Sequence, residues 1–117
     1  MTAQTNPPPT VEAPLLRIEM MEHPNRVELH LIGEMDLSTR GVLESALASI
    51  VPEGAARVRL DLSKLDFCDA TGLAELLAAR RAASRRRLTL ASYAARPQVL
   101  RLLELTGTSY VLDGAAD

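Results

Sequence analysis

The sequence predicts a single α/β domain whose elements run ββαβαβαβ, with a mixed sheet and helices packed on one face of it. Three observations carry this expectation. Period-two alternation of apolar and polar residues marks strands around Leu16–Met20, Val27–Leu31 and Val58–Leu62. Apolar residues at helical spacing fill the stretches between the later strands, and strands alternating with helices imply parallel pairs joined by right-handed crossovers. The strand at 57–62 sets Arg57, Arg59 and Asp61 against Val58, Leu60 and Leu62. A central strand covered on both faces reads as a continuous apolar run. This one does not, so one sheet face is open and a doubly wound nucleotide-binding sheet is disfavoured.

The elements follow in order. "MTAQTNPPPTVEAP" (1–14) is small, polar and proline-rich, and is expected to be a disordered tail. "LLRIEMME" alternates Leu16, Ile18 and Met20 with Arg17 and Glu19. The turn "HPN" (23–25) leads into "RVELHLIG", with Val27, Leu29 and Leu31 opposite Glu28 and His30. Two such runs around a short turn form an antiparallel hairpin.

Val42, Leu43, Ala46, Leu47 and Ile50 then fall at helical spacing, with Ser38 or Thr39 as the expected N-cap and Pro52 and Gly54 as the stop. After the strand at 57–63, "LDFCDATGLAELLAAR" (65–80) passes from strand to helix, with Leu73, Leu76 and Leu77 on one helical face. "LTLASY" (88–93) is a fourth strand. "ARPQVLRLLELTG" is a helix with Pro97 in its first turn and Gly107 as its C-terminal cap, and Val99, Leu100 and Leu103 facing inward. "SYVL" is expected as a short last strand, and 113–117 as a frayed end. The folded domain is thus expected over 15–112.

Composition bounds the function. A chain of 117 residues that is 47% hydrophobic and 24% charged can bury a core without disulfides or metal. That core is almost wholly aliphatic, with one Phe, two Tyr and no Trp. A formal net charge of −2 offers no attraction to nucleic acid or to an anionic membrane. The lone Cys68 excludes an internal disulfide and suits a reducing compartment. The first fifteen residues lack the basic and apolar regions of a signal peptide, and no apolar run is long enough to cross a bilayer. The expectation is a soluble, cytoplasmic protein.

Several chemistries have no residues to support them. "GVLESALAS" lacks the ending of a phosphate loop. His23 and His30 stand apart and Cys68 has no partner at ligand spacing, so no metal or other cofactor is expected. Cys68 reads as a small buried hydrophobe and His30 as a solvated side chain. The run "RRAASRRR" (80–87) complements a helix C-terminus and keeps the next loop solvated.

The acidic turns remain: Glu34 and Asp36 in "GEMD", Asp66 and Asp69 in "LDFCDATG". As an enzyme these would be Mg²⁺ ligands for phosphoryl transfer, but no general base stands near them and Asp61 points to the open face, so no enzyme is expected. Thr71 has two compatible roles. It or Asp69 caps the helix, or its hydroxyl accepts a phosphate that the helix N-terminus tolerates. Gly72 beside it would keep the surface low for an approaching protein.

In "LIGEMDLST", "VRLDLSKLDFCDATGLAELL" and "RPQVLRLLELTG", in this order and spacing, the chain resembles the STAS domain family, in particular its anti-sigma factor antagonists. The resemblance covers residues 15 to about 112. It implies a four- to five-stranded mixed sheet with helices on one side, and partner switching in transcription regulation and stress response. An unphosphorylated antagonist of this kind binds an anti-sigma factor that is also an ATP-dependent serine/threonine kinase, and so releases a sigma factor. Phosphorylation ends the interaction, and a metal-dependent phosphatase resets it.

By motif position the acceptor here is Thr71, framed by Asp69, Ala70 and Gly72, with Glu34 and Asp36 in the neighbouring docking loop. The family's D-S-S-G reads D-A-T-G in this chain, with Ala70 and Thr71 replacing the two serines. The alternative is a constitutive STAS scaffold, such as a subunit of a lipid-transport ATPase complex, in which Thr71 only caps the helix or touches its partner.

Overall fold

Two antiparallel and two parallel pairings build one five-stranded sheet whose strands lie side by side in chain order. In the computed structural model, residues 10–13, 15–50 and 57–112 are described. The strands are β1 (Thr10–Ala13), β2 (Leu16–His23), β3 (Arg26–Met35), β4 (Arg57–Cys68) and β5 (Thr89–Tyr93). The helices are α1 (Val42–Ala48), α2 (Ala70–Arg85) and α3 (Pro97–Thr106), with short 3-10 turns at Leu37–Thr39 and Ser109–Val111.

The expected hairpin is present, with β2 and β3 antiparallel and His23 paired with Arg26. Parallel pairing follows from β3 to β4 and from β4 to β5. Alternation sends Leu16, Ile18, Val27, Leu29, Leu31, Val58, Leu60 and Leu62 into one core, which the helices cover with Leu43, Leu47, Leu73, Leu76, Val99 and Leu103. The opposite face carries Arg17, Glu19, Glu28, His30, Arg59 and Asp61, so the open-faced α/β architecture holds.

The fifth strand comes from the other end of the chain. Thr10–Ala13, placed by the sequence reading in a disordered tail, pair antiparallel with β2. The proline run stops at Pro9 and β2 offers an unpaired edge, so even a short segment gains ladder bonds there. The rest of that tail, at 1–9 and 14, lies outside the described residues, as does the C-terminal end at 113–117. "SYVL" is not a strand. Gly107 ends α3 in the left-handed region (φ 71°), the chain folds back through Thr108 N–H to Leu103 O (2.8 Å), and Val111 is buried. One bridge, Ser92 to Leu112, is the strand-like contact left.

The first helix also differs. Neither Ser38 nor Thr39 is its N-cap: both lie in the Leu37–Thr39 turn, and α1 starts after Gly41, whose φ of 89° requires glycine-like freedom. The expected stop at Pro52 and Gly54 lies outside the described residues. Leu100 is 37% exposed rather than inward-facing, since α3 presents Val99 and Leu103 to the sheet. Pro97 and Gly107 occupy the ends of α3 as expected. Arg86 does more than stay solvated: its guanidinium donates to Leu47 O (2.7 Å) and Ile50 O, carbonyls at the C-terminus of α1 that lack helical partners.

Candidate functional site

The parallel strands β3 and β4 end side by side, with Met35 opposite Cys68 and the Asp69 N–H donating to Met35 O (3.3 Å). Each strand is followed by an aspartate that caps what comes next. Asp36 Oδ1 accepts from the Ser38 N–H (2.9 Å) and Ser38 Oγ (2.6 Å), while Thr39 Oγ1 accepts from the Asp36 N–H (2.9 Å). Asp69 Oδ1 accepts from the Gly72 N–H at 3.0 Å and caps α2. The choice that the sequence left open is therefore resolved: Asp69, not Thr71, is the cap. Thr71 is half-buried and its hydroxyl has no hydrogen bond among the described residues.

Gly72 does not serve the outer surface. It is buried, and a Cβ there would lie 2.8 Å from Cys68 Sγ and from Met35 Cβ and collide with Met35 O. It is glycine so that the first turn of α2 can press onto the ends of β3 and β4. Cys68 beneath it is buried, and burial, reinforced by the Asp69 charge, pushes its thiol up to about 12. It is an inert packing group, as expected.

Two side chains that sequence reasoning did not single out fix this edge. Gln98, at the start of α3, accepts from the Cys68 N–H and donates to Cys68 O, both at 3.0 Å, and so continues the sheet where β5 no longer reaches. The exposed pair Arg96–Asp66 (2.6 Å) lies beside it. Glu75 accepts from the Gly41 N–H with both oxygens, at 3.1 and 3.2 Å, and ties the corner before α1 to α2. A groove of about 800 Å³ opens between that corner, α1 and α2, and Leu37, Arg40, Thr71, Ala74 and Glu75 are among its lining. Helical periodicity places Glu75 one turn from Thr71, but nothing in the sequence marks Gly41 as its partner.

The edge brings Asp36, Asp69, Ala70 and Thr71 together around the strand ends, with Glu34 half-buried one residue before Met35 and its N–H bonded to Leu15 O (2.8 Å). Leu37 (66% exposed) and Phe67 (39% exposed) add apolar surface. Both aspartates already serve as caps. Among the described residues no group of three or more His, Cys, Asp or Glu side chains could hold a metal ion. What the edge offers is a hydroxyl on a rigid helix end and a surface to bind against.

A second polar cluster sits elsewhere, on the open face. His30 is not isolated: parallel pairing places it opposite Asp61, with Nδ1 3.7 Å from Asp61 Oδ2 and Nε2 3.4 Å from Glu28 Oε1. Burial opposes ionisation of Glu28, yet hydrogen bonds from His30 and Arg26 hold its carboxyl below the usual range. Asp61 is likewise held low against burial, chiefly by hydrogen bonds from Ser63. Tyr93 is raised by burial and by the charges of Asp61 and Glu28, and Arg59 stacks 4.3 Å from its ring centroid. This cluster lies on strands β3, β4 and β5, whereas Thr71 lies on α2. No helix among the described residues is long and apolar enough to cross a membrane.

Comparison with known proteins agrees with this fold. The model of the family described as "Mlab, STAS domain" matches residues 18–113. The anti-sigma-B factor antagonist of Listeria monocytogenes is 25% identical over 99 residues, covering 84% of this chain and 87% of the relative. The solved anti-sigma factor antagonist from Mycobacterium paratuberculosis superposes with a TM-score of 0.68 at 24% identity, covering 87% of each chain. The antagonist SpoIIAA, solved in its unphosphorylated form, superposes at 0.61 with 18% identity over 81% of this chain and 84% of its own. The phosphorylated form of the Bacillus protein superposes at 0.57. With the family model spanning most of the sequence and the sheet, capped strand ends and one-sided helices all in place, the chain belongs to the STAS domain family.

Proposed function

We propose that this chain is an anti-sigma factor antagonist that works by partner switching. Unmodified, it binds an anti-sigma factor with protein kinase activity and thereby frees a sigma factor. Phosphorylation of Thr71 ends that binding, and a metal-dependent serine/threonine phosphatase restores it. In the modifying step the Thr71 hydroxyl takes the γ-phosphoryl group of ATP, its proton leaves, and ADP departs. The chain itself supplies the acceptor and the docking edge of Glu34, Asp36, Asp69 and Ala70, with no catalytic group of its own. Gly72 supports that edge from beneath.

One observation carries the reading: Asp69 caps α2, which leaves the Thr71 hydroxyl without a bond among the described residues, in the first turn at the rim of a groove. A phosphate there gains from the helix dipole and adds about −1.5 to −2 charges, so the fold tolerates it while the docking edge becomes more strongly negative. The names of the relatives, and the two solved forms of SpoIIAA, support the same reading.

The test is mass spectrometry of the chain isolated from its native cells with phosphatase inhibitors. It is paired with titration of unmodified and Thr71-phosphorylated chain against an ATP-binding anti-sigma factor of those cells. Phosphate on Thr71 and binding weakened about a hundredfold, equivalent to ~3 kcal/mol, are expected. An unmodified Thr71 in every growth phase, with a constant ATPase-complex partner, would establish the scaffold role instead.

A further inference from the structure

Thr71 and Glu75 are one helical turn apart on α2 and line the same groove, so their Cβ atoms are about 5–6 Å apart. Glu75 is already committed. Its carboxylate receives the Gly41 N–H, across 34 residues of sequence, and Gly41 has no side chain with which to hold the corner otherwise. That corner carries Leu37, the most exposed large apolar side chain on the groove's rim, and Arg40. A negative charge placed on Thr71 therefore acts directly on the anchor of the neighbouring docking segment.

We propose that Glu75 couples charge on Thr71 to the Leu37–Gly41 corner: a phosphate on the Thr71 hydroxyl repels the Glu75 carboxylate, releases the Gly41 amide and loosens the rim of the groove. The inference rests on the Thr71 reading for its trigger. It adds that phosphorylation acts on the docking surface in two places, at the hydroxyl itself and at a segment about thirty residues earlier in the chain. Glu75 is a positioning residue here. It holds the rim in the unmodified state and gives it up in the modified one. Arg40, exposed on the same rim, tempers the repulsion but cannot replace the lost amide bond, because solvent-exposed pairs contribute little.

The test needs neither kinase nor partner. Amide hydrogen exchange at Gly41 is followed by NMR in the full chain carrying Thr71→Glu, with Thr71→Gln as a neutral control of the same shape. A second pair carries the same substitutions together with Glu75→Gln. All four are first checked for a cooperative thermal transition. Gly41 is expected to exchange about twofold faster with Thr71→Glu than with Thr71→Gln, the size of a like-charge pair one turn apart. The difference is expected to vanish in 1 M salt and in the Glu75→Gln pair, outcomes that a purely steric effect of residue 71 would not produce. Equal exchange with Thr71→Glu and Thr71→Gln overturns the coupling while leaving phosphorylation-controlled docking intact. A responsive Gly41 in a chain whose Thr71 carries no phosphate in cells supports the coupling and refutes the switch.

Discussion

The Asp69 carboxylate accepts a hydrogen bond from the Gly72 amide at 3.0 Å, and Thr71 sits between them with its hydroxyl unbonded among the described residues. Structural work is thus divided unequally within one helical turn. Asp69 stabilises the turn, Gly72 packs it, and the Thr71 hydroxyl is committed to neither task. A threonine needed as a cap would be a poor switch, because modifying it would cost the helix its own start.

That separation predicts unequal costs for two neighbouring substitutions. Asp69→Ala removes the cap and should lower stability by ~1 kcal/mol, or roughly 4 °C in melting temperature. Thr71→Ala removes no hydrogen bond and should stay within about 0.5 kcal/mol of the parent. Urea denaturation of the two variants checks this. A Thr71→Ala loss as large as that of Asp69→Ala would mean that the hydroxyl does cap α2.

Gly72 sets two effects against each other. In a helix, Gly→Ala ordinarily gains about 0.5–1 kcal/mol. Here the added methyl meets the Met35 backbone oxygen, which cannot rotate away, as well as Cys68 Sγ at 2.8 Å. Overpacking of this kind costs roughly 1–3 kcal/mol, so the packing effect wins and Gly72→Ala should be destabilising by about 2 kcal/mol. Chemical denaturation reads the sign directly, and a stabilised variant would show that α2 is free to lift off the strand ends.

The central hairpin and parallel strands were legible because alternation is a local signal that burial obeys: Leu29, Leu31, Val58, Leu60 and Leu62 are all fully buried. The ends were not. Whether "TVEA" or "SYVL" completes the sheet depends on which edge has a free ladder, and that is a property of the assembled sheet. At the site, "GEMD" and D-A-T-G pointed to Asp36 and Asp69 at the two strand ends, yet the burial of Gly72 and the bonds of Glu75 and Gln98 join positions some thirty residues apart. His30 was misjudged for the same reason, since Asp61 reaches it only through the β3–β4 register.

Gln98 anchors α3 to the strand end through two backbone bonds, and its neighbour Arg96 makes an exposed ion pair with Asp66. Their losses should differ. Gln98→Ala leaves the N–H and C=O of buried Cys68 without partners, at a cost of about 1–3 kcal/mol, and should speed amide exchange at Cys68. Arg96→Ala should cost no more than about 0.5 kcal/mol, as solvent-exposed pairs do. Equal losses for the two would place the anchoring in the helix packing rather than in the amide clamp.

The open face predicts how the fold responds to acid. Glu28 and Asp61 are held below their ordinary values by hydrogen bonds that outweigh burial, Glu28 by His30 and Arg26, Asp61 chiefly by Ser63. A carboxyl that titrates lower in the folded than in the unfolded chain leaves the unfolded chain holding more protons in between. The stability these groups contribute is therefore fully present above the ordinary carboxylate range and is lost as the pH falls through their lowered folded-state values. Urea midpoints measured from pH 3 to pH 6 should rise with pH in the parent. In the Glu28→Gln, Asp61→Asn double variant the rise should be shallower, with the two curves converging at the acid end. Parallel curves across the whole range would show that these two carboxylates interact no better in the folded chain than in the unfolded one.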